Sequence, residues 1–405
     1  MAADGCSRKG GTIASLAEEV AVIREWLEET GLLSEVHFSV RLHRRRFEDI
    51  RRTSGWTAGA NLQHILGTPE LKDHLAAYAP LRRTAMIAQG TRMALTRRKI
   101  YVVGGESDWG GALGSVESFD PRIGSWEPVK QMPITRAAGA GAILGKCLYV
   151  CGGAGPFAGT VSKFDPRGQK WEVQESMKEK RAQHAAAVLN GRLYVCGGVD
   201  GAADTRGMAH SSVERFDPEG GRRGRGSWEI IPPMLEPRRG LALAALGGQL
   251  HACGGSRGWD LSIHPPECST EFFDPCVGVW TPAPLLLEPR LLPAFAVVGG
   301  RFHLCGGIAG DNHEVLRSAE RFDLASGTWQ ALPPMPVPRY AAAAASADGK
   351  LFVFGGKAFP GFGHGYPNEL RHSTGGCFDP RSGTWTSLPP MSDRRANPVA
   401  LSVLL

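Results

Sequence analysis

Six Gly-Gly doublets, at Gly104-Gly105, Gly152-Gly153, Gly197-Gly198, Gly254-Gly255, Gly306-Gly307 and Gly355-Gly356, frame this chain. Each is followed by a Phe-Asp pair (Phe119-Asp120, Phe164-Asp165, Phe216-Asp217, Phe273-Asp274, Phe322-Asp323, Phe378-Asp379). Then comes Trp126, Trp171, Trp228, Trp280, Trp329 or Trp385. Ten residues past each tryptophan stands an arginine: Arg136, Arg181, Arg238, Arg290, Arg339 and Arg395. The next doublet begins sixteen residues after each of the first five arginines. A period of about 50 residues marks a repeat architecture, in which each unit buries its apolar surface against its neighbours.

Each unit reads as four short strands. The first follows the arginine and is rich in small residues, as in Ala137–Ile143 and Tyr340–Ala345, which suits a crowded centre. The second is an apolar run into the doublet, such as Leu148-Tyr149-Val150-Cys151, the mark of a strand covered on both faces. The doublet supplies tight turning and close backbone approach. The third strand ends at Phe-Asp, where the aspartate opens a turn. The fourth carries the tryptophan, whose large apolar area fills the wedge between neighbouring sheets.

The doublet after four apolar residues, with spaced aromatics behind it, resembles the kelch repeat. The resemblance covers residues 99–405 and implies an all-β, six-bladed β-propeller. Residues 1–98 are expected to precede it as a separate helical region. There Ser15 and Glu18 read as a capping box opening a helix, with Ile13, Leu16, Val20, Ile23 and Leu27 as its expected apolar stripe and Gly31 as its expected end. A second helix is expected over 35–52 and a third from Pro69 through Tyr78.

The ends predict how the ring closes. No arginine stands sixteen residues before the first doublet, where the sequence has Ala88. Arg395, conversely, is followed by a strand-like tail, 396–405, with no blade of its own. That tail is expected to form the inner strand of the first blade, which removes the ring's open edges.

Strand direction places the loops after the doublets on the same face as the arginines. Three of those loops are long: 199–212, 256–269 and 357–373, the last bearing Phe359, Phe362, His364 and Tyr366. Propellers of kelch-like substrate adaptors of cullin ubiquitin ligases are similar in this respect. The resemblance implies that the six arginines grip an acidic peptide segment, with Arg239, Tyr340, Phe362 and Tyr366 as further partner contacts. An arginine in every repeat also has a purely architectural reading, bonding backbone carbonyls between blades. In the third unit, Asp217 and Trp228 are eleven residues apart, against six elsewhere, and the insert carries Arg222, Arg223 and Arg225 on the opposite face.

The remaining chemistry is sparse. Net charge is +6, with 15 Lys+Arg against 11 Asp+Glu in residues 1–98 and 31 against 29 beyond, too balanced to favour nucleic acid. No apolar run reaches 18 residues, so no membrane span is expected. The first 30 residues lack the apolar core of a secretion signal. Cys151, Cys196, Cys253 and Cys305 share one repeat position and read as buried thiols in a reducing compartment. Tyr101, Tyr149, Tyr194, His251 and His303 share another and read as core. No spacing reads as a zinc site or phosphate loop, and no catalytic group, metal or cofactor is expected. The chain therefore reads as a non-enzymatic, cytoplasmic or nuclear protein-interaction module, possible roles being substrate recognition for a ubiquitin ligase or scaffolding on actin. A metal-dependent kelch-type enzyme is the third alternative.

Overall fold

The structure, a computed structural model, describes residues 98–201, 207–221, 224–310, 313–358 and 370–405. The helices expected in the first 98 residues fall outside the described residues, as do Phe359, Phe362, His364, Tyr366, Arg222 and Arg223.

The described residues form six four-stranded antiparallel sheets, the blades of a propeller. Blade 2 runs Ala140–Leu144, Cys147–Cys151, Val161–Asp165 and Lys170–Val173, and blades 3 to 6 repeat that order. Blade 1 is assembled from both ends of the ring. Its inner strand is Val399–Leu404, paired antiparallel with Arg98–Val103 over six residues, followed by Val116–Asp120 and Ser125–Val129. The expected closure is therefore present. Two short hairpins, Ile308–Ala309 with Glu314–Val315 and Lys357–Ala358 with Leu370–Arg371, rise from the loops of blades 5 and 6.

The core consists of six apolar wedges, one between each pair of neighbouring blades. Repeat positions explain it residue by residue. Each Phe of the Phe-Asp pair packs at a tilt against its own blade's tryptophan, with ring centroids 4.8–5.3 Å apart. On its other side it meets the previous blade: Tyr101 contacts Phe164, Tyr194 contacts Phe273, and His251 contacts Phe322. The tryptophans do more than fill space. Every indole Nε1 donates to a carbonyl of the preceding blade, from Trp126 to Pro389 O (3.0 Å) through Trp385 to Pro333 O (2.9 Å). The six aspartates accept a backbone N–H two residues on, at 2.8–3.1 Å, forming the turn each was expected to open.

The inner strands begin later than the sequence implies, at Ala140 and Ala343 rather than Ala137 and Tyr340. The second residue after each arginine has positive φ, which breaks the extended chain: Ala138, Gln183, Gly240, Leu292, Ala341 and Asn397, all between 51° and 59°. Such a conformation is costly for most side chains and survives where surroundings impose it. Here a closed circle of backbone hydrogen bonds does so. Gln183 N donates to Ala138 O, Gly240 to Gln183, Leu292 to Gly240, Ala341 to Leu292, Asn397 to Ala341, and Ala138 to Asn397, at 2.7–3.3 Å. This circle narrows the mouth of the central channel. Beneath it lies a cavity of about 130 Å³, lined by inner-strand alanines and glycines, by apolar groups such as Leu241 and Phe295, and by the polar His184, Gln183 and Asn397.

Candidate functional site

The six arginines come together as one belt around the ring. Each backbone carbonyl accepts the N–H of the second glycine of the preceding blade's doublet, for example Gly105 N to Arg136 O and Gly356 N to Arg395 O. Each Nη1 then donates to the carbonyl of the first glycine of its own blade's doublet, at 2.7–2.9 Å. Arg395 reaches Gly104 in this way and closes the circle. The sixteen-residue spacing is thus the length of chain from guanidinium to carbonyl. The doublet must be glycine because a Cβ on Gly104 or Gly254 would lie 2.6 Å from the next arginine's carbonyl oxygen. All six side chains are buried, the most open being Arg339 at 6%.

Four blades match this buried charge with a carboxylate. Glu117, Glu214, Glu271 and Glu320 occupy the second residue of the third strand, are buried, and bond Arg395, Arg181, Arg238 and Arg290 at 2.6–3.2 Å. The second carboxylate oxygen accepts the N–H three residues before the arginine, from Ser392, Lys178, Leu235 and Leu287. Blades 2 and 6 have Ser162 and Gly376 instead. There the residue three before the arginine is Pro133 or Pro336, which has no N–H to leave unpaired. Arg136 leans on Thr160 and Ser162, and Arg339 on Thr374. Burial without a counter-charge lowers the pKa of Arg136, and pushes that of Arg339 down to about 10. Arg339 still carries its charge at neutral pH.

A second set of carboxylates stands nearer solvent, two residues before the arginine. Glu179, Glu288 and Asp393 reach Nη2 of Arg181, Arg290 and Arg395, while Glu236 turns to Arg257. Their side chains are 35–44% exposed. The arginine-bearing face consequently shows carboxylates to solvent and keeps its guanidiniums beneath them.

Arg239 and Tyr340 are also buried. Arg239 donates to Gly258 O and Gln183 Oε1 and lies 4.4 Å from the Trp259 ring, holding the blade 4 loop over the channel mouth. Burial lowers its pKa to about 10. Tyr340 packs with Leu261, Leu291 and Ile308 in a cap where that same loop reaches blades 5 and 6. Phe362 and Tyr366 lie outside the described residues. Sequence reasoning missed the acidic positions, although Glu-x-Phe-Asp is visible in four of the six units.

What the face offers outward is apolar as well. Sixteen large apolar side chains are exposed among the described residues. Ten sit on this face: Trp109, Phe157, Met208, Trp259, Ile263 and Leu370 in the loops after the doublets, and Leu235, Leu285, Leu287 and Val337 in the connections leading to the arginines. The opposite face has three, Ile123, Val277 and Leu324. Among the described residues no three His, Cys, Asp or Glu are grouped to hold a metal ion, and no helix is long and apolar enough to cross a membrane.

The sequence model of the Kelch motif matches residues 90–133, 180–235, 289–336 and 338–392, about half of the chain. The chain belongs to the kelch-repeat family. Among curated proteins, this kelch propeller is similar to human Kelch-like protein 33, 32% identical over 100 residues, which is 25% of this chain and 17% of that protein. It is also 32% identical over 103 residues to human Kelch repeat and BTB domain-containing protein 13, 25% of this chain and 20% of that protein. The matched stretch thus spans no more than a fifth of either relative. The solved structure of YjhT superposes with a TM-score of 0.59 over 67% of this chain and 89% of its own, at 19% identity, a likeness of fold alone.

Proposed function

We propose that this kelch propeller is a non-enzymatic protein-interaction module that holds a partner segment on its arginine-bearing face. One observation carries the reading: exposed large apolar side chains concentrate on that face, ten against three on the opposite one. Large apolar side chains left exposed and gathered on one face of a ring favour that face for interaction. In this reading Arg136, Arg181, Arg238, Arg290, Arg339 and Arg395 serve binding from beneath. They fix the positions of the loops that meet the partner, and Arg239 and Tyr340 do the same for the blade 4 loop. Phe362 and Tyr366 are proposed as direct contacts on the strength of the sequence. We place the protein inside the cell, where the eight cysteines that are free thiols in the structure would remain reduced.

The narrower role, substrate recognition for a ubiquitin ligase, is supported by the resemblance to kelch-like adaptors. A relative whose name joins kelch repeats to a BTB domain adds to that support. Affinity capture and mass spectrometry of the full chain, compared with Leu287→Asp and Val277→Asp variants, test both levels. Partners lost with Leu287→Asp and kept with Val277→Asp are expected, with ligase subunits among them if the adaptor role holds. Partners that ignore Leu287→Asp, or that depend on Val277, would remove the face assignment.

A further inference from the structure

We propose that the arginine-bearing face over blades 4 and 5 docks a cationic amphipathic segment of a partner protein. This inference rests on that face being the partner-binding one and adds the chemistry of what it binds. The residue three before the arginine separates these two blades from the rest. It is leucine only there, Leu235 and Leu287, whereas the other four blades have Pro133, Lys178, Pro336 and Ser392. Each leucine's N–H is tied to a buried glutamate, Glu271 or Glu320, while its side chain stands 52% exposed. An apolar group held outward on an anchored backbone is a preformed contact, with little ordering left to be lost on binding. Trp259 and Ile263 of the intervening loop, 42% and 68% exposed, extend the surface.

Charge decides what kind of segment fits. Glu236, Glu288, Asp260 and Glu314 lie exposed or half-exposed around these apolar groups. The two cations beside them are Arg257 and Arg317. Arg257 is already held between Glu236 (3.1 Å) and Glu267 (3.0 Å), so it adds no free positive charge. The arginines below are matched by Glu271 and Glu320 at 2.9 and 2.6 Å. Arg317 donates to Met335 O and the buried Arg239 to Gly258 O and Gln183 Oε1, so both remain cationic. With them counted, the seven carboxylates of this sector still outnumber its five guanidiniums. Its field is negative, and an acidic peptide would meet like charge. Lysine or arginine interleaved with apolar side chains is the complementary pattern.

Two peptides of about 18 residues, sharing one helical apolar pattern but carrying lysine or glutamate at every polar position, provide the test. Each is titrated into the 405-residue chain by fluorescence anisotropy at about 50 and about 300 mM salt. The lysine peptide is expected to bind, to weaken at higher salt, and to lose about tenfold in affinity on combining Leu287→Asp with Glu314→Lys. Val277→Asp on the opposite face should leave it unchanged, and melting curves verify that each variant is folded. Preference for the glutamate peptide, still sensitive to Leu287→Asp, would overturn the charge inference while leaving the face assignment standing. A lysine peptide that binds all variants alike sits elsewhere and overturns the inference, as does failure of both peptides to bind. Neither of those last outcomes touches the capture experiment, which judges the face independently.

Discussion

At the scale of single residues, the six repeat arginines are alike in sequence and unlike in energetics. Arg290 is paired with the buried Glu320, so replacing it with methionine leaves a carboxylate without its charge partner, at a cost of about 3–5 kcal/mol. Arg339 bonds only carbonyls and the Thr374 hydroxyl, all of them neutral, so Arg339→Met should cost about 1–3 kcal/mol. Chemical denaturation of the two variants checks the order; equal losses would contradict the role given to the carboxylate. Histidine offers a second test. His303 occupies the slot filled by Tyr101, Tyr149 and Tyr194, and burial lowers its pKa from 6.5 to about 4. The unfolded chain takes up a proton there near pH 6.5 and the folded chain does not, so stability is intact above that pH. It falls as pH drops from 6.5 to 4, by about 1.4 kcal/mol per unit for each such group. His184, lowered to about 3 by burial, acts in the same direction. His303→Tyr should flatten this acid limb, seen as a smaller drop in melting temperature between pH 7 and pH 4.

At the scale of elements, each outer strand is fastened to the blade before it by one indole hydrogen bond. Trp280→Phe keeps the ring contact with Phe273 but removes the bond to Pro232 O, and should cost about 1 kcal/mol. No change in the denaturation midpoint would show that solvent replaces the bond without loss. The strands, the aspartate turns and the apolar wedges were all legible in the sequence because they depend on contacts at fixed repeat spacing. The start of the inner strand was not. Ala138, Leu292 and Ala341 give no local sign of positive φ; the circle of hydrogen bonds that imposes it joins residues from six different blades.

At the scale of the whole molecule, the ring is closed without a covalent joint. The inner strand Val399–Leu404 buries Val399, Leu401 and Val403 between blades, and Arg395 completes the belt at Gly104. A side-chain clasp adds to the junction: Glu106 of blade 1 bonds Lys357 and Arg371 of blade 6, and Ser115 bonds Asp393. Removing 396–405 takes away the three large buried side chains Val399, Leu401 and Val403 at about 2 kcal/mol each, besides the buried Ala396 and Ala400, a loss comparable with the net stability of a whole domain. The truncated protein is expected to lose its cooperative thermal transition. A sharp transition within a few degrees of the full chain's would mean the blades do not depend on closure.

By itself, the sequence determined the family, the number of blades, the closing strand and the residues of the core. Each of these follows from periodic spacing, and spacing is a property of the chain. The tertiary structure alone decided which side of the arginines' chemistry faces solvent. Glu117, Glu214, Glu271 and Glu320 lie about 30 residues or more from the arginines they neutralise, and nearly the full ring apart in the case of Glu117 and Arg395. A positive ring read along the chain thus becomes, once folded, a buried belt beneath a fringe of carboxylates and exposed apolar groups. The physical reason is burial: a guanidinium withdrawn from water must be satisfied inside the protein, and what satisfies it is brought there by folding.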